Sequence, residues 1–188
     1  MISHKHKFIF THINKCGGTT IDTMLIKYCD GFKQSHAATL LETLHSPTPV
    51  NKLYGELNQV KHLSARQTLN SKSQNYFKFS FVRNPWDKLV SAYFYRKHRS
   101  GRYKSMNFRQ FVKYRVKHWK INTTYSGKLN KKFFWSADQY DWLCGSDGEV
   151  IVDFVGKVEN FQNDFNHICD RIGIPQERLP HINKTKHK

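Results

Sequence analysis

The chain has 188 residues, 38% of them hydrophobic and 14% aromatic. That is enough to bury a core and excludes intrinsic disorder. Lys and Arg number 31 against 14 Asp and Glu, a formal net charge of +17. Such a field attracts polyanions, whether nucleic acid or acidic polysaccharide, although a solvated basic surface gives the same count.

The cysteines, at Cys16, Cys29, Cys144 and Cys169, form no C-x-x-C pair. Zinc and dithiol redox motifs are therefore excluded, and sparse cysteines fit a reducing compartment. The basic segment Met1–Lys7 is followed by a short apolar stretch, Phe8–Phe10. That is too short for a signal-peptide core, and no apolar run reaches the roughly 18 residues of a membrane span. The expectation is a cytoplasmic protein without a membrane span.

In chain order, Phe8, Ile9, Phe10 and Ile13 form a β-favouring run. Gly17 and Gly18 allow a sharp turn and close approach to a ligand. Thr19, Thr20 and Asp22 suit a helix start, and Ile21, Met24, Leu25 and Tyr28 recur at helical spacing. This is strand, tight loop, helix. A helix N-terminus attracts anions, Lys15 adds a positive charge, and Cys16 beside it is a candidate for a lowered thiol pKa. The loop is not a Walker A, in which the lysine follows the glycines. A plain turn with a surface lysine has the same pattern, so the segment alone leaves both readings open.

Residues 30–52 are loop-rich, with Leu40, Leu41 and Leu44 in a short helix before Pro47 and Pro49. Leu53–Tyr54 reads as a short strand, and Ser64 as the cap of a short helix over Ala65–Asn70. Phe77, Phe79, Phe81 and Val82 make a second strand, ended by Arg83. Asn84 is a natural N-cap and Pro85 fits the first helical position. The helix runs to about Arg99 on a stripe of Leu89, Val90, Tyr93 and Phe94, with Gly101 as its stop. Ser91 follows Arg83 by eight residues, so the early turns bring it toward the guanidinium. The plain alternative is an Arg83 paired with a carboxylate.

Asn107 caps a further helix built on Phe108, Phe111, Val112, Val116 and Trp119. Lys113, Arg115, Lys117, His118 and Lys120 crowd it and read as a solvated face. Residues 121–134 read as a basic loop, an ordinary connection or an acceptor contact. Trp142–Cys144 and Val150–Val155 read as two strands around a turn. Asn160 caps a last helix over Phe161–Ile172, stopped by Gly173 and Pro175. Strands alternating with helices imply one α/β domain with a mainly parallel sheet, both motifs lying at carboxyl ends of strands.

Asn14-Lys-Cys-Gly-Gly-Thr-Thr20 and Phe81-Val-Arg-Asn-Pro-Trp-Asp-Lys-Leu-Val-Ser-Ala-Tyr93 together resemble the PAPS-dependent sulfotransferases, in their carbohydrate branch (sulfotransferase family 2). The first is similar to the family's 5′-phosphosulfate loop, with Asn14 for the usual Pro and Cys16 for the usual Thr. The second is similar to its 3′-phosphate motif. The likeness continues through Phe154–Phe161 and Leu179–Thr185, spans nearly the whole chain, and is weakest between 100 and 137. It implies a three-layer α/β/α fold related to nucleotide kinases, with a P-loop-like phosphate-binding loop, in a single domain over 1–188. Family members usually continue into another helix after the point where this chain ends, so that helix is expected to be missing.

The resemblance implies transfer of a sulfuryl group from PAPS to a carbohydrate hydroxyl, with PAP as product and no metal. The acceptor is expected to be a carbohydrate, an acidic polysaccharide included, and not nucleic acid. Lys15 matches the lysine that stabilises the leaving bisphosphate. Lys15, Cys16, Gly17, Gly18, Thr19 and Thr20 match the donor loop, Arg83 and Ser91 the 3′-phosphate site, and Lys184 and Thr185 the lid over the nucleotide. His62, between the two motifs, matches the base of relatives that act on glycosaminoglycans, with Glu56 and then His12 in reserve. Histidine suits the role because its ordinary pKa lies near neutrality. Three rival readings are a small-molecule kinase of the same fold, which wants Walker A glycines and Mg²⁺ ligands, a basic polyanion- or nucleic-acid-binding module without catalysis, and a catalytically dead sugar-binding relative, against which the presence of Lys15, Arg83 and Ser91 argues.

Overall fold

The computed structural model describes residues 1–36, 52–53, 57, 63–99, 101–119 and 138–182. The elements in order are β1 (Ile2–Ser3), β2 (Phe8–Thr11), α1 (Gly18–Leu25), α2 (Ala65–Thr68), β3 (Phe77–Val82), α3 (Pro85–Arg99), α4 (Gly101–Lys104), α5 (Phe108–Trp119), α6 (Gln139–Leu143), β4 (Phe154–Lys157) and α7 (Phe161–Ile172). Single 3₁₀ turns lie at Ile26–Tyr28, Gln34–His36 and Val158–Asn160.

Among the described residues the strands form one four-stranded sheet in the order β1-β2-β3-β4. The β1–β2 pair is antiparallel and the other two are parallel. This is the expected α/β class with a mainly parallel sheet. Phe10 pairs with Phe79, Thr11 with Ser80, and Val82 with Lys157. Because β2, β3 and β4 run the same way, the segments that follow them leave from one edge of the sheet, where such sheets bind ligands.

The strands are phenylalanine-rich because they are covered. Phe8, Phe10, Phe79 and Phe81 are buried, with Ile21 and Leu25 of α1 and Phe165, Ile168, Cys169 and Ile172 of α7 in the same cluster. Of the α1 positions at helical spacing, Ile21, Met24 and Leu25 are buried and Tyr28, beyond the helix end, is half-buried; α7 buries Phe165, Ile168, Cys169 and Ile172. A second cluster, Ile13, Cys16, Trp142 and Leu143, lies after β2 and under α6.

The caps expected at Ser64, Asn84 and Asn107 are present. Gln67 Oε1 accepts the Ser64 N–H at 2.9 Å, Asn84 Oδ1 accepts the Trp86 N–H at 3.0 Å, and Asn107 Oδ1 accepts the Gln110 N–H at 2.9 Å. Other expectations are corrected. Thr19 and Thr20 lie inside α1, whose N-cap is Gly17 in the left-handed region with no side-chain cap bond. Leu53 belongs to a helical turn, not a strand, since its carbonyl accepts the Leu57 N–H at 2.9 Å. Gly101 opens a short helix. Trp142 and Leu143 are helical, and the two-strand reading of 142–155 reduces to one antiparallel bridge, Cys144 to Val150, before β4. Asn160 precedes α7, but its amide goes to Asp164 Oδ1 at 2.8 Å and not to the helix N–H groups.

On α5 the apolar spacing overstates the covered stripe. Phe111 is buried, whereas Phe108 and Val116 are 40% and 66% exposed. Five residues turn a helix by about 140°, which carries Val116 away from the face where Phe111 meets Tyr93 and Tyr103. Lys113 and Lys117 are exposed, as a solvated face requires, but Arg115 is half-buried, and burial holds its guanidinium below the usual arginine value. The expected Leu40–Leu44 helix, Tyr54 and the 121–134 loop lie outside the described residues.

Candidate active site

The connection from β2 to α1 is set by two left-handed residues. Lys15 has φ 65° and Gly17 φ 73°. For lysine this conformation costs about 1–3 kcal/mol, and residues so held cluster at ligand sites. A Cβ on Gly17 would stand 2.5 Å from the Phe161 ring, and one on Gly18 would strike the His12 imidazole. Both glycines are thus demanded by close packing. The Thr20 and Ile21 N–H groups bond the Gly17 carbonyl, at 2.9 and 3.4 Å. The N–H groups of Gly18 and Thr19 come before these first helical bonds, at the positive end of the helix.

His12 supports this turn from beneath. It is 5% exposed, and its Nδ1 lies 2.8 Å from Oδ2 of fully buried Asp22. As the weaker reserve candidate for a base, His12 is therefore corrected to a buried group paired within the loop's foundation. Asn14 Nδ2, in a residue 5% exposed, is buried with no hydrogen-bond partner among the described residues.

The Lys15 Nζ lies 4.1 Å from the centroid of the Tyr95 ring. Tyr95 is on α3, and Ser91 stands one turn earlier on the same face. The loop lysine and the expected serine therefore meet one face of one helix. Ser91 itself is half-buried.

Arg83 directly follows β3, with Asn84 capping α3. Among the described residues no carboxylate lies within ion-pair distance of its guanidinium. Glu159, after β4, instead accepts the Asn84 N–H at 2.6 Å. That bond first, then one from its own N–H, and after these the nearby Arg83 charge, hold the Glu159 carboxyl below its ordinary range. The main chain of Arg83 is gripped by Gln139, whose Oε1 accepts its N–H and whose Nε2 donates to its carbonyl, both at 2.8 Å. The same Oε1 accepts the Cys16 thiol at 3.1 Å.

Cys16 is a small residue accommodated in the loop and not a reactive thiol: it is 1% exposed, and burial pushes the thiol up to about 11. Lys88 on α3 comes close to the same thiol and to Asp138, and burial holds its ammonium below the usual lysine value.

The site thus brings together Lys15, Cys16, Gly17, Gly18, Thr19 and Thr20 with Arg83 and the Ser91 face of α3. His62, Glu56, Lys184 and Thr185 lie outside the described residues. Gln139, Tyr95, Phe161 and Glu159 were not anticipated. Glu159 and Phe161 lie in the 154–161 segment that carries part of the family likeness, whereas no local pattern marks Gln139 or Tyr95, which act through contacts distant in sequence. Among the described residues no group of three or more His, Cys, Asp and Glu is placed to hold a metal ion.

An uncharacterized protein of Archaeoglobus fulgidus is 34% identical over 108 residues, covering 57% of this chain and 77% of its own. No solved structure matches the chain. The model of the sulfotransferase family (sulfotransferase family 2) matches residues 1–188. With the full length matched, the chain belongs to the sulfotransferase family.

Proposed function

We propose that the chain is a carbohydrate O-sulfotransferase using PAPS as donor, in one domain spanning 1–188. The observation that carries this reading is the meeting of the Lys15 loop and Arg83 at one sheet edge, tied through Gln139. The residues present fit the donor. The loop offers N–H groups of Gly18 and Thr19 at a helix N-terminus, the Lys15 ammonium and the buried Asn14 amide, which together make a P-loop-like anion cradle. Arg83 offers a planar, bidentate phosphate partner.

When bound, PAPS supplies the sulfuryl group, with its bisphosphate as leaving group. Lys15 stabilises the charge that develops on the leaving 5′-phosphate. Gly17 and Gly18 let the backbone approach it, and Cys16, Thr19 and Thr20 contribute main chain around it. Arg83 and Ser91 hold the 3′-phosphate, and Lys184 and Thr185 cover the nucleotide. His62 takes the proton of the acceptor hydroxyl. The net charge of +17 exceeds what one nucleotide needs and suits an acidic polysaccharide acceptor.

Calorimetry tests the reading. PAP is expected to bind without Mg²⁺ and clearly more tightly than ATP. ATP preferred over PAP, with Mg²⁺ required, would establish the kinase alternative. Sulfate transfer from labelled PAPS onto a glycan panel identifies the acceptor, and binding without transfer to any glycan would favour a non-catalytic module.

A further inference from the structure

Gln139 joins the two halves of the site through one side chain. Arg83 is the first residue beyond β3, whose last ladder pair is Val82 with Lys157. Its N–H and carbonyl lie past that pair, and both are instead taken by Gln139 at 2.8 Å. A primary amide carries a donor and an acceptor in one plane, which a carboxylate or hydroxyl does not combine in that way. The Oε1 also receives the Cys16 thiol proton at 3.1 Å. Cys16 sits between the two left-handed residues, Lys15 and Gly17, so fixing it fixes the crest of the loop. The helix carrying Gln139 is itself anchored, since Trp142 and Leu143 are buried in a cluster with Ile13 and Cys16.

We propose that Gln139 is a positioning residue that sets the separation between the Lys15 loop and Arg83, and thereby the spacing of the 5′- and 3′-phosphate subsites. The inference rests on the donor-site reading above. A ligand with both phosphates depends on that spacing. A ligand with one phosphate needs only one anchor.

The test is calorimetric titration of wild type, Gln139→Ala and Gln139→Met with adenosine 3′,5′-bisphosphate, adenosine 5′-monophosphate and adenosine 3′-monophosphate. Losing the clasp is expected to weaken the bisphosphate about 10-fold, as removal of one or two hydrogen bonds does. Both monophosphates should change less than about threefold, within half of one such bond. Gln139→Met keeps the length and volume of the side chain without its donor and acceptor and adds no charge. It should reproduce the selective loss, and it carries the test if Gln139→Ala does not fold. Equal weakening of all three nucleotides would make Gln139 merely structural, and an unchanged bisphosphate affinity would remove its role. A wild-type protein that fails to bind the bisphosphate would overturn the donor-site reading itself, and this inference with it.

Discussion

The Lys15 ammonium faces the Tyr95 ring at 4.1 Å from its centroid. The aromatic face attracts the cation and turns the side chain toward α3, one turn from Ser91. The main chain of Lys15 is meanwhile held at φ 65°, where glycine sits without strain.

These two facts separate stability from activity. Lys15→Ala should melt near wild type while sulfate transfer from PAPS collapses. Lys15→Gly should melt at or slightly above wild type, because removing left-handed strain gains about 1 kcal/mol against a comparable loss from the more flexible unfolded chain. It should be equally inactive. A large drop in melting temperature in either variant would make Lys15 structural.

Arg83→Ala removes a charged hydrogen-bond donor, an interaction of about 1.5–3 kcal/mol. Affinity for PAP should fall roughly 10- to 150-fold. Adenosine 5′-phosphosulfate, which lacks the 3′-phosphate, should lose much less. Calorimetry that shows equal losses for both ligands sinks the assignment of Arg83 to the 3′-phosphate.

His62→Ala should lower the turnover number by about 10²–10⁴, the usual cost of deleting a general base, with PAP affinity barely changed. The wild-type rate should rise with pH through an ionisation near or below about 6.5, and the variant should lose that step. Retention of more than about a third of the rate at saturating acceptor, far above that cost, moves the role to Glu56.

Cys16 gives the protein a signature in alkali. Its folded thiol is pushed up from 9.0 to about 11. Below pH 9 both folded and unfolded chains keep this proton. As pH rises further, the unfolded chain releases it first, so stability is lost until the folded thiol also ionises near 11. Cys16→Ser keeps a donor for Gln139 and does not titrate. Denaturant unfolding between pH 9 and 11 should therefore show a pH slope shallower by roughly 1 kcal/mol per unit in the variant. Identical slopes would mean that the thiol ionises as freely in the fold as out of it.

The parts of this architecture that are local were legible in the sequence. β3 and α3 follow from alternating phenylalanines, an Asn cap and a Pro at the first helical position, and α7 from its apolar stripe and Gly173. The start of α1 was misjudged because Thr19, Thr20 and Asp22 are all good caps. What decides it is the left-handed turn at Gly17, imposed by packing against Phe161. Trp142 resembles a strand residue by type, yet it is helical because the cluster with Ile13 and Cys16 needs its ring there. The Lys15 loop and Arg83 were recognisable as parts of motifs, but their linkage was not. Gln139 lies 56 positions from Arg83 and 123 from Cys16, and nothing in its neighbours announces either bond.

The two glycines of the loop lie against aromatic rings, Gly17 on Phe161 and Gly18 on His12. Each ring occupies the volume that a side chain would need, so size at one position is exchanged for size at the other. A mutational library confined to residues 17 and 18 would therefore sample almost nothing but clashes. One that varies 17 together with 161, and 18 together with 12, gives a methyl group somewhere to go. In Phe161 the pairing reaches further, because its ring also stands edge-on to Phe81 at 4.9 Å. Reshaping the Lys15 loop of this protein thus means redesigning part of its hydrophobic interior along with it.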